Sequence, residues 1–332
     1  MQFIKALLVL LFLNLISCGL NAHPMMKRAI IIDTDAAFDD LLAIGYLLNR
    51  PELSIKAITI SADGEENCEP ALKNVMSVLR VLKQTQIPIA CGRSTPLRGN
   101  HRFPQIWSRS QQLNLHSQSI SSRALNPNAV ALLKKILKVS KETVDIIALG
   151  PVTNLAELIK SPVRNKIHMV YLMGGAVHVP GNVSNKNPNY NNLAEWNLYL
   201  DPYAADLLFS SRVPITLVPL DATNQVPFSL RFYQTLKSHA KTVSAKFFYQ
   251  LIHQNEQEIK THAWYFWDVL TAAIATDPNI GTSKIEYLRV LIKPEETSGR
   301  IIVDQQRGVP IHVYGKIHRQ LFYHHILQYL FS

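Results

Sequence analysis

The chain has 332 residues, enough for one large α/β domain or two small ones, and its 47% hydrophobic and 17% charged residues exclude a disordered polypeptide. The formal net charge of +10 comes from scattered Lys and Arg, with no long basic run and no nucleic-acid-binding motif. It therefore reads as solubility or weak attraction to anionic surfaces, and no nucleic-acid partner is expected.

In chain order, residues 1–22 read as an export signal. Lys5 precedes an almost purely apolar run, Ala6 to Ile16, too short for a comfortable transmembrane helix. Two processing sites compete. Leu15-Ile16-Ser17-Cys18 has the form of a bacterial lipobox, which would lipidate Cys18; the other is cleavage near Ala22, where Leu20 is a poor small residue. An uncleaved anchor is the third reading. The expected product is a single domain, 23–332, that is periplasmic, secreted or lipid-anchored, with no stable membrane span.

Strand and helix patterns alternate from residue 28. Arg28 to Asp33 is a short β-branched run that predicts a buried strand, and a helix pattern follows from near Asp39 to the residues before Pro51. Ile55 to Ser61 predicts a second strand, Glu69 to Lys83 a helix and Ile87 to Ala90 a third strand. Gly92 to Leu125 lacks periodicity and reads as an irregular insertion. Beyond it come a helix near Asn128 to Val139, a strand Val144 to Leu149, a short helix Thr153 to Lys160 and a strand Ile167 to Met173. Asp201 is placed to cap a helix through Phe209, and Pro214 to Pro219 is another strand. The chain is then mainly helical, including Trp267 to Thr276, before short strands at Tyr287 to Ile292, Ile301 to Val303 and Val309 to Val313 and a closing helix. This βα alternation predicts an α/β fold: an open, mostly parallel sheet flanked by helices, with a mainly helical C-terminal part.

Cys18 belongs to the signal. Cys68 and Cys91 read as free thiols, Cys91 buried at a strand end; pairing in an oxidising compartment is the other reading.

The chemistry concentrates in Asp33-Thr34-Asp35-Ala36-Ala37-Phe38-Asp39-Asp40, directly after the first strand. Four carboxylates in eight residues raise one another's pKa values unless a cation sits among them. No Cys or His is close, so hard-ion chemistry favours Ca²⁺ or Mg²⁺ over zinc. A helix N-terminus would by itself account for Asp39 and Asp40, but not for Asp33 and Asp35.

This stretch resembles the nucleoside hydrolase family, whose hallmark after a first strand is Asp-x-Asp-Pro-Gly-x-Asp-Asp. The resemblance extends through Ala148-Leu149-Gly150-Pro151-Val152-Thr153-Asn154-Leu155, Met173-Gly174-Gly175-Ala176, Pro180-Gly181-Asn182-Val183, Ala194-Glu195-Trp196-Asn197 with Asp201-Pro202, and Trp267-Asp268. Each block is weak alone; their order is specific. The resemblance implies hydrolysis of the N-glycosidic bond of ribonucleosides with Ca²⁺ as cofactor. It implies that Asp35, Asp40, the Leu149 carbonyl and Asp268 hold the metal, that Asp35 is the general base, and that Asp39 binds ribose hydroxyls. Asn182, Glu195 and Asn197 would grip the sugar, Met173 would lie beside its 5′ end, and Asp33 would support the loop from behind. Family members commonly form dimers or tetramers, so a homo-oligomer is expected.

Trp267 stands where base-tolerant members place a His. An indole donates no useful proton at neutral pH but stacks on a purine, and Trp196 would be a second wall; purine nucleosides are therefore the expected substrates. His178 and His262 lie near predicted site segments and read first as surface histidines. Three departures stand out. The family's Pro-Gly is here Ala36-Ala37, the Asn after the second strand is missing from Ala62-Asp63-Gly64-Glu65-Glu66, where Glu65 is the candidate substitute, and the stretch from Asn182 to Glu195 is long. Two other functions compete: a haloacid dehalogenase-type phosphatase, suggested by Asp33-Thr34-Asp35, and an exported binding protein that has lost turnover.

Overall fold

The computed structural model describes residues 27–104, 128–183, 192–261 and 264–331. Its first half alternates β1 (Arg28–Thr34), α1 (Phe38–Leu48), β2 (Leu53–Ile60), α2 (Cys68–Val81), β3 (Ile89–Cys91), α3 (Ala129–Val139), β4 (Val144–Ala148), α4 (Thr153–Leu158) and β5 (Ile167–Met173). Then come α5 (Trp196–Leu200), α6 (Pro202–Ser210), β6 (Ile215–Val218) and α7 (Leu220–Thr223). A helical stretch follows, with α8 (Leu230–His239), α9 (Val243–Gln254), α10 (Glu256–Thr261) and α11 (Trp267–Thr276). Strands β7 (Gly281–Val290), β8 (Ile301–Val303) and β9 (Val309–Ile317) and helix α12 (Arg319–Phe331) complete the chain.

The strands form one nine-stranded sheet in the order β3-β2-β1-β4-β5-β6-β9-β7-β8. Pairing is parallel from β3 through β9 and antiparallel at the β9-β7 and β7-β8 edge. Central strands are buried on both faces, which is why β1 is continuously apolar instead of alternating. Ile30 and Ile32 join the core beneath α1, α2, α9 and α11, whereas Ile31 joins the core beneath α3, α4 and α6.

The strand order positions the site. From β1 the chain moves outward to β2 and β3, then returns to lay β4 on the other side of β1. The loops leaving β1 and β4 therefore diverge at their carboxyl ends, which opens a crevice at the switch point.

The mostly parallel sheet flanked by helices agrees with the sequence pattern. Three differences have clear causes. Strand β7 begins at Gly281, well before Tyr287, because its polar first half is recruited by antiparallel pairing with β9, Gly281 lying opposite Ile317. Helices α5 and α7 have five and four residues, too few for a periodic signal. Finally, Cys68 and Cys91 are not free thiols but a disulfide, with Cα atoms 5.7 Å apart. Cys91 ends β3 beside Ile60 at the end of β2, and Cys68 opens the helix that follows β2, so the parallel register brings both to the same sheet end. Cys91 is fully buried at its strand end, as expected. Among the described residues no helix is long and apolar enough to cross a membrane.

Candidate active site

A pocket of about 540 Å³ opens at the carboxyl end of the sheet, and every residue singled out above as facing metal or substrate lines it. Asp35, Asp39 and Asp40 enter from the loop after β1 and the first turn of α1; Leu149 follows β4; Met173 ends β5. Glu195, Trp196 and Asn197 come from the start of α5, and Trp267 and Asp268 from the first turn of α11. The N-termini of α1 and α11 thus both present backbone N–H groups and positive dipole ends to the carboxylates. The Asp268 backbone N–H supports Asp39 directly.

Asp39, Asp40 and Asp268 each bring an oxygen to within 4.8 Å of the others. Asp35 lies beside them, close enough that its charge raises both Asp39 and Asp40. It lies between two glycines: a Cβ on Gly64 would sit 2.3 Å from the Asp35 Cβ, and one on Gly150 2.9 Å from it. Only glycine lets both backbones approach so closely. The Glu65 backbone N–H donates to Asp35 Oδ2 at 2.9 Å, which fixes the carboxylate.

Asp33 lies behind the pocket. Its carboxylate accepts from Thr59, from Ser61 Oγ at 3.1 Å and from Asn154 Nδ2 at 2.8 Å, tying β1 to β2, to the loop after it and to α4. Thr34 similarly donates to Asp40 Oδ1 and accepts from the Ala36 N–H. Glu195 caps α5 by accepting from Asn197 N at 3.0 Å and Leu198 N at 3.4 Å, and it also holds Gly175 N at 2.8 Å. Asn197 Nδ2 donates to the Leu149 carbonyl at 2.8 Å and the Met173 carbonyl at 3.2 Å. Asn182 Oδ1 accepts from Trp196 N at 3.1 Å. The long stretch before Glu195 therefore leaves Asn182 on the pocket wall.

Burial and crowding push these acids upward. Asp39 is raised to about 7, by burial first and by the charge of Asp35 second. Burial, then the neighbouring carboxylates, holds Asp40 and Asp268 well above the usual carboxylate range. Glu195 is raised to about 7 by burial despite its three N–H donors. Among the described residues, no Lys, Arg or His lines the pocket. Two means of relief remain, protons or a bound cation. An all-oxygen donor set around three convergent carboxylates fits a hard divalent ion such as Ca²⁺.

Aromatic rings wall the rest of the pocket. Phe38 meets Trp264 edge-on at 4.8 Å, and Trp264 lies 6.3 Å from Trp267. Across the pocket, Phe103 packs on Trp196 at 4.9 Å. A cluster of carboxylates facing flat apolar walls suits a ligand with a hydroxyl-rich part and an aromatic part.

The sequence pattern of inosine-uridine preferring nucleoside hydrolases matches residues 30–324. This chain belongs to that family. It is 31% identical over 300 residues to the pyrimidine-specific ribonucleoside hydrolase RihA of Escherichia coli O1:K1 / APEC, covering 84% of this chain and 89% of RihA. Among solved structures it is similar to an inosine-uridine preferring nucleoside hydrolase from Bacillus anthracis, with a TM-score of 0.80, 22% identity, and 92% and 99% of the two chains covered. A plant nucleoside hydrolase, PpNRh1, matches with a TM-score of 0.80, 25% identity and the same coverage.

As a nucleoside hydrolase the chain departs from the pattern where the sequence indicated, but with a different backbone consequence. Left-handed freedom is needed at Ala36, φ 60°, the position of the pattern's proline; Ala37, at φ −63°, sits in ordinary extended backbone. Proline cannot adopt the Ala36 conformation.

The aromatic wall was only partly legible. Trp264, Phe38 and Phe103 had no periodic signal, although Phe38 fills the variable position of the acidic motif and Trp264 precedes Trp267 by three residues. Next to it, Phe266 is core, while Tyr265 pairs with Pro227 and touches Trp267. His178 stands outside the pocket, half-exposed, with Nε2 2.8 Å from Glu286 Oε1, so the surface reading describes it. His262 lies outside the described residues, as do the signal and Cys18.

Proposed function

We propose that this nucleoside hydrolase cleaves ribonucleosides to ribose and free base in a Ca²⁺-dependent reaction, with purine nucleosides favoured. The observation that carries the reading is the convergence of Asp39, Asp40 and Asp268, with Asp35 beside them, in a pocket with no basic side chain among the described residues and walled by Trp196, Trp264 and Trp267.

N-glycosidic cleavage passes through a ribosyl cation-like state, comparable to glycoside hydrolysis. The anionic wall of the pocket stabilises that developing positive charge. Asp40, Asp268 and Asp39, with Asp35 and the Leu149 carbonyl adjoining, are the groups that would hold Ca²⁺. When bound, Ca²⁺ neutralises carboxylates, lowers the pKa of water and orients it. Asp35, gripped by the Glu65 N–H, takes the proton of the attacking water. Asn182, Glu195, Asn197 and Asp39 bind the sugar hydroxyls, and a site built for hydroxyls rejects sugars that lack them. Trp267 and Trp264 stack on the leaving base, which no histidine of the described pocket protonates.

A second reading of base preference has its own support: RihA, 31% identical to this chain, is pyrimidine-specific. Steady-state kcat/KM on inosine, adenosine, uridine and cytidine, with and without chelator, decides both points. The proposal expects inosine or adenosine to lead and activity to vanish on chelation; a lead for uridine and cytidine establishes the pyrimidine reading. Metal analysis of the active protein identifies the ion.

The Cys68–Cys91 disulfide supports an oxidising compartment, and with it the proposal that the protein is exported. Mass spectrometry of the native N-terminus tests this: lipid on Cys18 or a start near residue 23 is expected, and an intact Met1 in cytoplasm overturns it.

A further inference from the structure

We propose that Glu65 supplies an additional carboxylate to the cation gathered by Asp39, Asp40 and Asp268, an inference that rests on the metal-dependent reading above. Glu65 lies in the loop after β2, where the family pattern resembled by this sequence has a neutral Asn. It lines the same pocket as the three carboxylates. Its backbone N–H is committed to Asp35 Oδ2, so the residue is held beside Asp35 and cannot swing away without breaking that bond. Gly64 adds to this constraint, since its Cα approaches Asp35 more closely than any side chain would permit.

Nothing within the described protein compensates the Glu65 charge. No hydrogen bond or ion pair to its carboxylate forms among the described residues, and the charges that act on it most are those of Asp35, Asp39 and Glu66, all of the same sign. A half-buried carboxylate held among like charges is unfavourable unless a cation is shared. An additional carboxylate also bears on which cation is taken. Ca²⁺ accepts more oxygens, in looser geometry, than the smaller octahedral Mg²⁺, and added ligand charge tightens binding. The Asn-to-Glu exchange thus favours Ca²⁺ over Mg²⁺ in this chain.

The test compares wild type, Glu65→Gln and Asp40→Asn by calorimetric titration of the chelator-stripped proteins with Ca²⁺ and Mg²⁺. Terbium luminescence excited through Trp264 and Trp267, which line the pocket, gives an independent readout. Glu65→Gln keeps shape and one oxygen but removes the charge. It is expected to weaken Ca²⁺ binding by about tenfold or more and to narrow the preference for Ca²⁺ over Mg²⁺. Stripped of metal, it is expected to melt no lower than wild type, because one repelling charge is gone. An unchanged Ca²⁺ affinity in folded Glu65→Gln overturns the proposal. So does a stripped Glu65→Gln that melts below wild type, which would make Glu65 a packing residue. Failure of the underlying reading looks different: wild type that binds no cation, or Asp40→Asn that binds as tightly as wild type, removes the metal site itself.

Discussion

The two ends of the sheet handle buried charge in opposite ways. At the amino end, Arg28, Asp145 and Arg50 each find a partner of opposite charge in the protein. Arg28 pairs with Asp145 and with the Ala275 carbonyl, and Asp145 also takes His168 at 2.7 Å. Arg50 pairs with Glu52, donates to Tyr46 Oη at 3.2 Å and lies 3.5 Å over the ring of Tyr329. At the carboxyl end, Asp35, Asp39, Asp40, Glu65, Glu195 and Asp268 line one pocket with no basic side chain among its described residues. Paired charges hold helices to the sheet edge and do no chemistry. Unpaired ones destabilise the fold and acquire a use only when something positive arrives, a cation or a sugar in a cation-like transition state.

If that contrast holds, changes at the carboxyl end alter chemistry without loss of stability, and changes at the amino end do the reverse. The largest effect is expected for Asp35→Ala: a fall in kcat of about 10²-fold or more, with little change in KM and a Tm equal to or above wild type. Metal content measured in the same sample separates loss of the base from loss of the ion. A variant that retains metal and normal turnover removes Asp35 from the mechanism. Next comes Arg50→Ala, expected to lower stability by about 2 kcal/mol through the lost ring contact and hydrogen bonds while leaving kcat unchanged, read by chemical denaturation and kinetics. A loss of turnover in the folded variant would couple the two ends and break the comparison.

A smaller effect sharpens the picture at the acidic loop. Ala36→Gly is expected to raise stability by about 0.5 kcal/mol. A left-handed non-glycine residue costs roughly 1–2 kcal/mol, and glycine's extra freedom in the unfolded chain offsets roughly half of the relief. Unchanged or lower Tm means that Ala36 packing outweighs its backbone strain.

The smallest effect concerns His325. Its Nε2 lies 3.1 Å from Arg50 Nη1, which can only donate, so Nε2 accepts and the ring is neutral. Burial first, and Arg50 second, lower its pKa below the ordinary 6.5. Because the unfolded chain takes up the proton first, this contribution is fully present above about pH 6.5 and is lost as pH falls toward the lower folded value. His325→Gln, which does not titrate, is expected to flatten that part of the Tm–pH profile by a small amount; an identical profile assigns the dependence elsewhere.

How much of this was legible depended on whether the signal was local. The Asp33–Asp40 stretch marked the acidic centre because like charges within eight residues conflict wherever the chain goes. Trp267-Asp268 and Glu195-Trp196-Asn197 were recognisable as ordered blocks. The three side chains missed in the pocket, Phe38, Trp264 and Phe103, are aromatics whose pattern does not distinguish wall from core. Phe266, two residues after Trp264, is core. His178, near a site segment in sequence, is the surface histidine expected of it and pairs with Glu286 on β7, more than a hundred residues away.

The longer elements of the parallel half, the layered α/β architecture and the acidic centre were written in the sequence, since hydrophobic period and charge density are properties of short segments. Tertiary structure alone decided the rest. The parallel register of β2 and β3 turned two apparently free cysteines into a disulfide, and the switch from β1 to β4 opened the crevice. The meeting of the α1 and α11 N-termini brought Asp268 to within reach of Asp39 and Asp40 across more than two hundred residues of chain. Such juxtapositions depend on which strands become neighbours, and that is settled by the burial of both sheet faces at once, which no local window contains.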